Sequence, residues 1–160
     1  MPGKSNHKHS TPWKIPVIMT AALAMGLWLP GHISVTLTPS LGYRVFFLIE
    51  PGSRNFRQGD YLLFDKHLDQ AQTDRLLKKV GCAPGQRLSA VEGKFSCDGH
   101  FLGRALARDA KGNPLPQFIF NGIVPAGSLF MVGSHPRSYD SRYFGFIHAD
   151  SVFKKAYPLW

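Results

Sequence analysis

Acidic residues are scarce in this chain: ten Asp and Glu stand against nineteen Lys and Arg in 160 residues, a net charge of +9. Basic chains commonly meet nucleic acid or anionic membrane surfaces. Here the cations are spread along the sequence without a zinc-finger, helix-turn-helix or RNA-binding signature, so nucleic acid is not expected as a partner. Cysteine occurs only as Cys82 and Cys97, at a spacing that suggests no zinc site. No His-Glu-x-x-His motif is present, and no Gly-x-Ser-x-Gly surrounds any serine. These absences remove the zinc-peptidase motif and the nucleophile elbow of the α/β-hydrolases. There is also no internal repeat and no low-complexity tract.

What the chain does contain is enough apolar residue, 44% against 18% charged, to bury the core of about one domain. Residues 1–14 form a polar, basic tail with Lys4, Lys8 and Lys14. Residues 15–33 follow as an apolar stretch, with no polar stripe from Val17 to Leu29. Counted to Ile33, it reaches the roughly 17–25 residues that a spanning helix needs, and Trp13 and Trp28 stand where interfacial aromatics belong. The expectation is a transmembrane anchor with its basic end in the cytoplasm and residues 34–160 exported. A cleaved signal peptide is the competing reading; a buried core helix would show a polar face. In an oxidising compartment Cys82 and Cys97 could pair, contributing roughly 3 kcal/mol; two buried thiols are the alternative.

Beyond residue 33, short β-branched and apolar runs alternate with turn signals. Strands are predicted at Ile33–Thr38, Arg44–Glu50, Asp60–Asp65, Leu76–Cys82, Leu129–Val132 and Ser151–Tyr157. Arg87–Val91 and Lys94–Cys97 flank Glu92-Gly93 as a hairpin. Ala83–Gln86 and Asp98-Gly99 read as turns, Arg104–Pro116 as a charged loop, and Asp69–Arg75 as a short helical or linking piece. This pattern predicts a mainly antiparallel β domain.

A serine hydroxyl attacks a carbonyl only when a base takes its proton. With no histidine motif at hand, a lysine whose amine is kept neutral by burial is the available base. Leu76-Leu77-Lys78-Lys79-Val80-Gly81 offers an apolar strand in which the two lysines face opposite sides. Two Ser-x-x-Lys matches, Ser5…Lys8 and Ser151…Lys154, lack the companion motifs of penicillin-binding enzymes and are set aside.

Four blocks then occur in one order: Thr38-Pro39-Ser40, Gln58-Gly59-Asp60-Tyr61-Leu62-Leu63-Phe64, Leu77 to Gly85, and Pro125 to Phe144. Together they resemble the bacterial type I signal peptidase family across residues 34–157. The resemblance implies a signal-peptidase-like antiparallel β catalytic domain with Ser40 as nucleophile and Lys78 as general base. It implies that Ser138 orients the Lys78 amine, and that the Ser40 N–H and the Thr38 hydroxyl form the oxyanion hole. Asp140 and Arg142 become a supporting ion pair. The chain departs from the family pattern at Leu41, where Met is usual, in lacking the proline soon after, and at Gly133-Ser134-His135, where Gly-Asp-Asn is usual.

The Thr-Pro-Ser-Leu box and the compact size resemble the conjugative-transfer, TraF-type branch. That branch implies maturation of pilin precursors, by hydrolysis or ring closure, from the periplasmic face of the inner membrane. The expected partners are a protein substrate, pilin or another exported precursor, and membrane lipid. No metal and no organic cofactor is required. The rival readings are a general leader peptidase, a non-catalytic membrane-tethered assembly factor, and a basic domain gripping lipid or DNA.

Overall fold

The long apolar stretch forms a helix, in which the backbone polar groups are satisfied within the segment. In the computed structural model, which describes residues 13–36, 41–69 and 72–160, α1 spans Lys14–Trp28 and is apolar all round, with no buried residue. Pro16 sits in its first turn, where a missing N–H costs nothing. The Thr20 hydroxyl donates to Pro16 O at 2.9 Å, so this polar group is satisfied within the helix. A 3-10 turn at Leu29–Gly31 follows, carrying Pro30. Lys14–Gly31 is long and apolar enough to cross a membrane. Contacts divide the chain after Ile33 into two units.

From Ile33 onward the strands form two antiparallel sheets. The larger has seven strands in the order β1 (Ile33–Val35), β2 (Val45–Ile49), β11 (Val152–Pro158), β3 (Tyr61–Asp69), β4 (Gln72–Cys82), β9 (Ser128–Val132) and β10 (Ile147–His148). The smaller has the order β7 (His100–Arg104), β6 (Lys94–Cys97), β5 (Arg87–Val91) and β8 (Gly122–Ile123). From Leu129 to Val132 β9 is apolar and buried, because both of its faces are covered there. Leu129 and Met131 enter a cluster with Leu62, Phe64 and Val80. Phe130 and Val132 enter a second with Leu88, Phe95 and Val124, which lies between the sheets. Cys82 of β4 and Cys97 of β6 form a disulfide that joins the sheets within this second cluster.

The two-residue turns dictate register. Glu92 and Gly93 have φ of 50° and 72°, the left-handed pair of a tight hairpin turn between β5 and β6. Asp98-Gly99 repeats it at 47° and 82°, so it closes a second hairpin and adds β7, a strand absent from the sequence expectation. The expectation of a helical or linking piece over Asp69–Arg75 is overturned. Asp69 ends β3, and residues 72–75 belong to β4, paired antiparallel with β3. The cross-strand partner makes these strand residues: Asp65 lies opposite Arg75 and the two form an ion pair at 3.0 Å. The first predicted strand is shorter than expected, ending at Val35; Leu37 and Thr38 lie outside the described residues.

Candidate active site

β4 carries the central side chain. Gly59 N–H donates to Val80 O at 2.8 Å and Val80 N–H to Asp60 O at 2.7 Å, so the Gln58–Phe64 block clamps this strand two residues from Lys78. Lys78 lies opposite Leu62 in the register and is only 7% exposed, whereas Lys79 is half-buried. Burial pushes the Lys78 amine below its ordinary pKa. Asp140 pulls the other way and Arg142 adds to the depression. The cause is desolvation, which disfavours the ammonium form. Lys78 Nζ donates to Ser138 Oγ at 2.9 Å, and Ser138 is itself buried.

Ser138 is held by the segment around it. Asp140 and Arg142 are 0% and 2% exposed and meet in a two-pronged ion pair, Nε to Oδ1 at 2.8 Å and Nη2 to Oδ2 at 2.7 Å. Arg142 also donates to the carbonyls of Ser138 at 3.3 Å and Arg104 at 2.9 Å. Asp140 accepts from Gly133 N–H at 2.8 Å and caps the one-turn helix α2, Ser141–Phe144. The guanidinium therefore ties the Ser138 loop to the end of β7. Every charge in this knot has a partner, as burial demands.

The structure thus brings together Lys78, Ser138, Asp140 and Arg142. Thr38 and Ser40 lie outside the described residues. Their chain neighbours are described: Thr36 lines a groove of about 400 Å³ together with Ser34, Leu63, Leu77 and Lys78. Leu41 is buried in a cluster with Phe46, Leu48 and Leu77. Ser151 and Lys154 make no dyad, since Ser151 donates to His148 O at 2.7 Å and Lys154 pairs with Glu50 at 2.9 Å.

Sequence reasoning missed three supports of the knot. Gly103 has φ of 146°, and a Cβ there would come within 2.8 Å of Arg142 Nη1. Ser141 Oγ accepts from Met131 N–H at 2.8 Å, and the Tyr143 hydroxyl accepts from Leu106 N–H at 2.9 Å. Gly103 stands in a segment that showed no strand pattern, so its close approach to Arg142 had no cue in the sequence. Ser141 and Tyr143 lie in the C-terminal block but showed no individual signal.

A family model described as signal peptidase, peptidase S26, matches residues 11–160. The chain belongs to that signal peptidase family. Among relatives, it is 37% identical over 87 residues to the conjugal transfer protein TraF of Agrobacterium fabrum, covering 53% of this chain and 48% of the relative. It is 42% identical over 79 residues to the probable conjugal transfer protein TraF of Sinorhizobium fredii, covering 48% and 41%. These alignments span about half the length of the curated relatives they match. A crystal structure of a signal peptidase I from Enterococcus faecalis aligns over 61% of this chain and 92% of its own, at 26% identity and a TM-score of 0.39.

Proposed function

We propose that this protein is a membrane-anchored serine endopeptidase in which Ser40 is the nucleophile and Lys78 the general base. Membership of the signal peptidase family supports peptidase chemistry on a protein substrate. The observation that carries the assignment of roles is the buried Lys78 amine, its pKa depressed, with Nζ at 2.9 Å from a buried serine oxygen. A neutral amine fixed in that way has a lone pair to accept a proton. Thr36 beside Lys78 in the groove and Leu41 in the Leu77 cluster support Ser40 as its partner, because one lies four residues before Ser40 and the other next to it.

In the reaction, Lys78 Nζ takes the Ser40 hydroxyl proton as Oγ bonds to the scissile carbonyl carbon. The resulting oxyanion is held by the Ser40 N–H and the Thr38 hydroxyl. The Lys78 ammonium then protonates the leaving amine as the C–N bond breaks, leaving an acyl-enzyme. Water, deprotonated by Lys78, releases the acid; if a substrate amine attacks instead, a new peptide bond forms. Ser138 keeps the amine aimed throughout.

Lys4, Lys8 and Lys14 before the apolar helix favour a cytoplasmic N-terminus, with residues 34–160 on the periplasmic side of the inner membrane and residues 15–33 as the anchor. The Cys82–Cys97 disulfide favours an oxidising compartment too. The conjugal-transfer names of the relatives support a role in conjugative transfer, for which we propose a pilin precursor as the substrate. The test is the full chain in phospholipid nanodiscs, given a pilin precursor and read by mass spectrometry. The unmodified protein should cleave, while Ser40→Ala and Lys78→Ala should not. A product lighter by one water than the linear fragment identifies ring closure. Equal cleavage by both variants refutes the dyad, and cleavage of unrelated exported precursors at equal rate favours the general leader peptidase.

A further inference from the structure

The loop at residues 133–140 has two working sides. Ser138 turns inward to Lys78, while its chain neighbours Arg137 and Tyr139 line a separate cavity of about 300 Å³. Apolar walls come from Leu106, Leu115 and the rings of Tyr139 and Tyr143, which stack with centroids 5.8 Å apart. Arg108 and Arg137 add two guanidinium groups on exposed residues. Arg108 spends one N–H on Gly112 O at 2.8 Å. No described residue accepts from the Arg137 guanidinium.

The cavity's walls are held in place. Tyr143 is pinned by Leu106 N–H at 2.9 Å, and Leu115 N–H donates to Ala107 O at 2.9 Å. Asp109, the one carboxylate in the lining, is taken up by its own loop, accepting from Lys111 N–H, Asn113 N–H and Asn113 Nδ2. Those donors are neutral, so Asp109 stays ionised and the lining keeps one positive charge in excess, with the Arg137 guanidinium uncommitted beside a half-open apolar surface of side-chain size. That pairing suits a carboxylate with a bulky apolar neighbour, since guanidinium binds carboxylate by paired hydrogen bonds. A lipid surface would call for apolar side chains that project outward, whereas Leu106 and Leu115 are half-buried and Tyr143 is buried.

We propose that this cavity recognises an acidic segment of the polypeptide substrate, with a carboxylate between Arg108 and Arg137 and an adjoining apolar side chain against the leucine and tyrosine walls. The proposal rests on the peptidase reading for the identity of the ligand. Because Arg137 and Tyr139 flank Ser138 in the chain, an occupied cavity would also steady the group that orients Lys78.

The test uses the full chain in nanodiscs of zwitterionic lipid and fluorescence anisotropy with three labelled peptides. They share a Leu-x-Phe core in which x is Glu, Gln or Lys. The Glu peptide should bind about tenfold more tightly than the Gln peptide. Arg137→Ala should erase that difference, and Arg137→Glu should shift preference to the Lys peptide, with thermal midpoints near that of the unmodified protein. Equal binding of Glu and Gln peptides, or an unchanged ranking in Arg137→Glu, overturns the proposal. Arg137-dependent binding of phosphatidylglycerol vesicles without peptide discrimination overturns it in favour of a lipid headgroup. Binding is read without turnover, so failure of the Ser40–Lys78 mechanism would show separately, as cleavage retained in the variants of that dyad.

Discussion

A lysine amine is a base only while it is uncharged, so the environment of Lys78 governs the chemistry proposed for it. Burial holds its pKa below the ordinary 10.5. The neutral fraction therefore grows as pH rises through that lowered value, and kcat/KM should rise with pH along a limb centred below 10.5. A pH–rate profile centred at or above the ordinary value would contradict this. Stability should follow the same sign. Between the lowered pKa and the ordinary one, the unfolded chain binds more protons at this site, so stability increases with pH across that window. Lys78→Met should remove that slope while keeping the fold, which denaturant titrations at several pH values would read. Ser138→Ala should lower kcat by about tenfold or more through loss of a buried hydrogen bond. It should leave KM nearly unchanged, because the group it orients acts on the reacting atoms. A change confined to KM would assign Ser138 to substrate binding instead.

At the scale of elements, the Arg142 guanidinium converts separate loops into one scaffold by reaching the end of β7 and the Ser138 carbonyl. Gly103 makes that reach possible, as a Cβ would stand 2.8 Å from Arg142 Nη1 on a backbone with φ of 146°. Gly103→Ala should cost about 1–3 kcal/mol. The cost should fall when Arg142 is already Met, a coupling measurable by a double-mutant cycle; strict additivity would show that the contact is not the cause. Arg142→Met alone leaves Asp140 buried without its counterion and should cost about 3–5 kcal/mol. The elements most legible in the sequence were those with local signals. Glu92-Gly93 announced its hairpin, and the apolar run Leu129–Val132 announced a strand, which the structure buries on both faces. β7 was missed because Phe101, which is exposed, and Gly103, which has no side chain, give no alternation to read. The start of β4 was missed because its cross-strand partner, not its own composition, makes Arg75 a strand residue. Similarly, Lys78 and Ser138 were legible through the order of the four blocks. Nothing local could reveal that Arg142 lies against Gly103, thirty-nine positions away in the chain.

At the scale of the whole molecule, the unit from Ser34 to Trp160 depends on two sheets keeping their relation, because the Ser138 loop is tied to β7 of the smaller sheet while Lys78 is on β4 of the larger. The Cys82–Cys97 disulfide is the covalent link between them, starting on β4 four residues after Lys78. It closes a loop with a sequence separation of 15 residues, for which chain entropy gives about 3 kcal/mol. Both cysteines are fully buried, so reduction of the native state should be slow and should proceed through unfolding. The paired substitution Cys82→Ala with Cys97→Ala should lower stability by about that amount. A thiol reductant should lower the denaturation midpoint of the unmodified protein while leaving the paired variant unmoved. The pH limb of kcat/KM should stay in place in the paired variant, since the charged groups acting on the Lys78 amine are Asp140 and Arg142. A shifted limb would mean that the disulfide also sets the burial of Lys78; an unshifted limb with a lowered midpoint would confine it to holding the two sheets together.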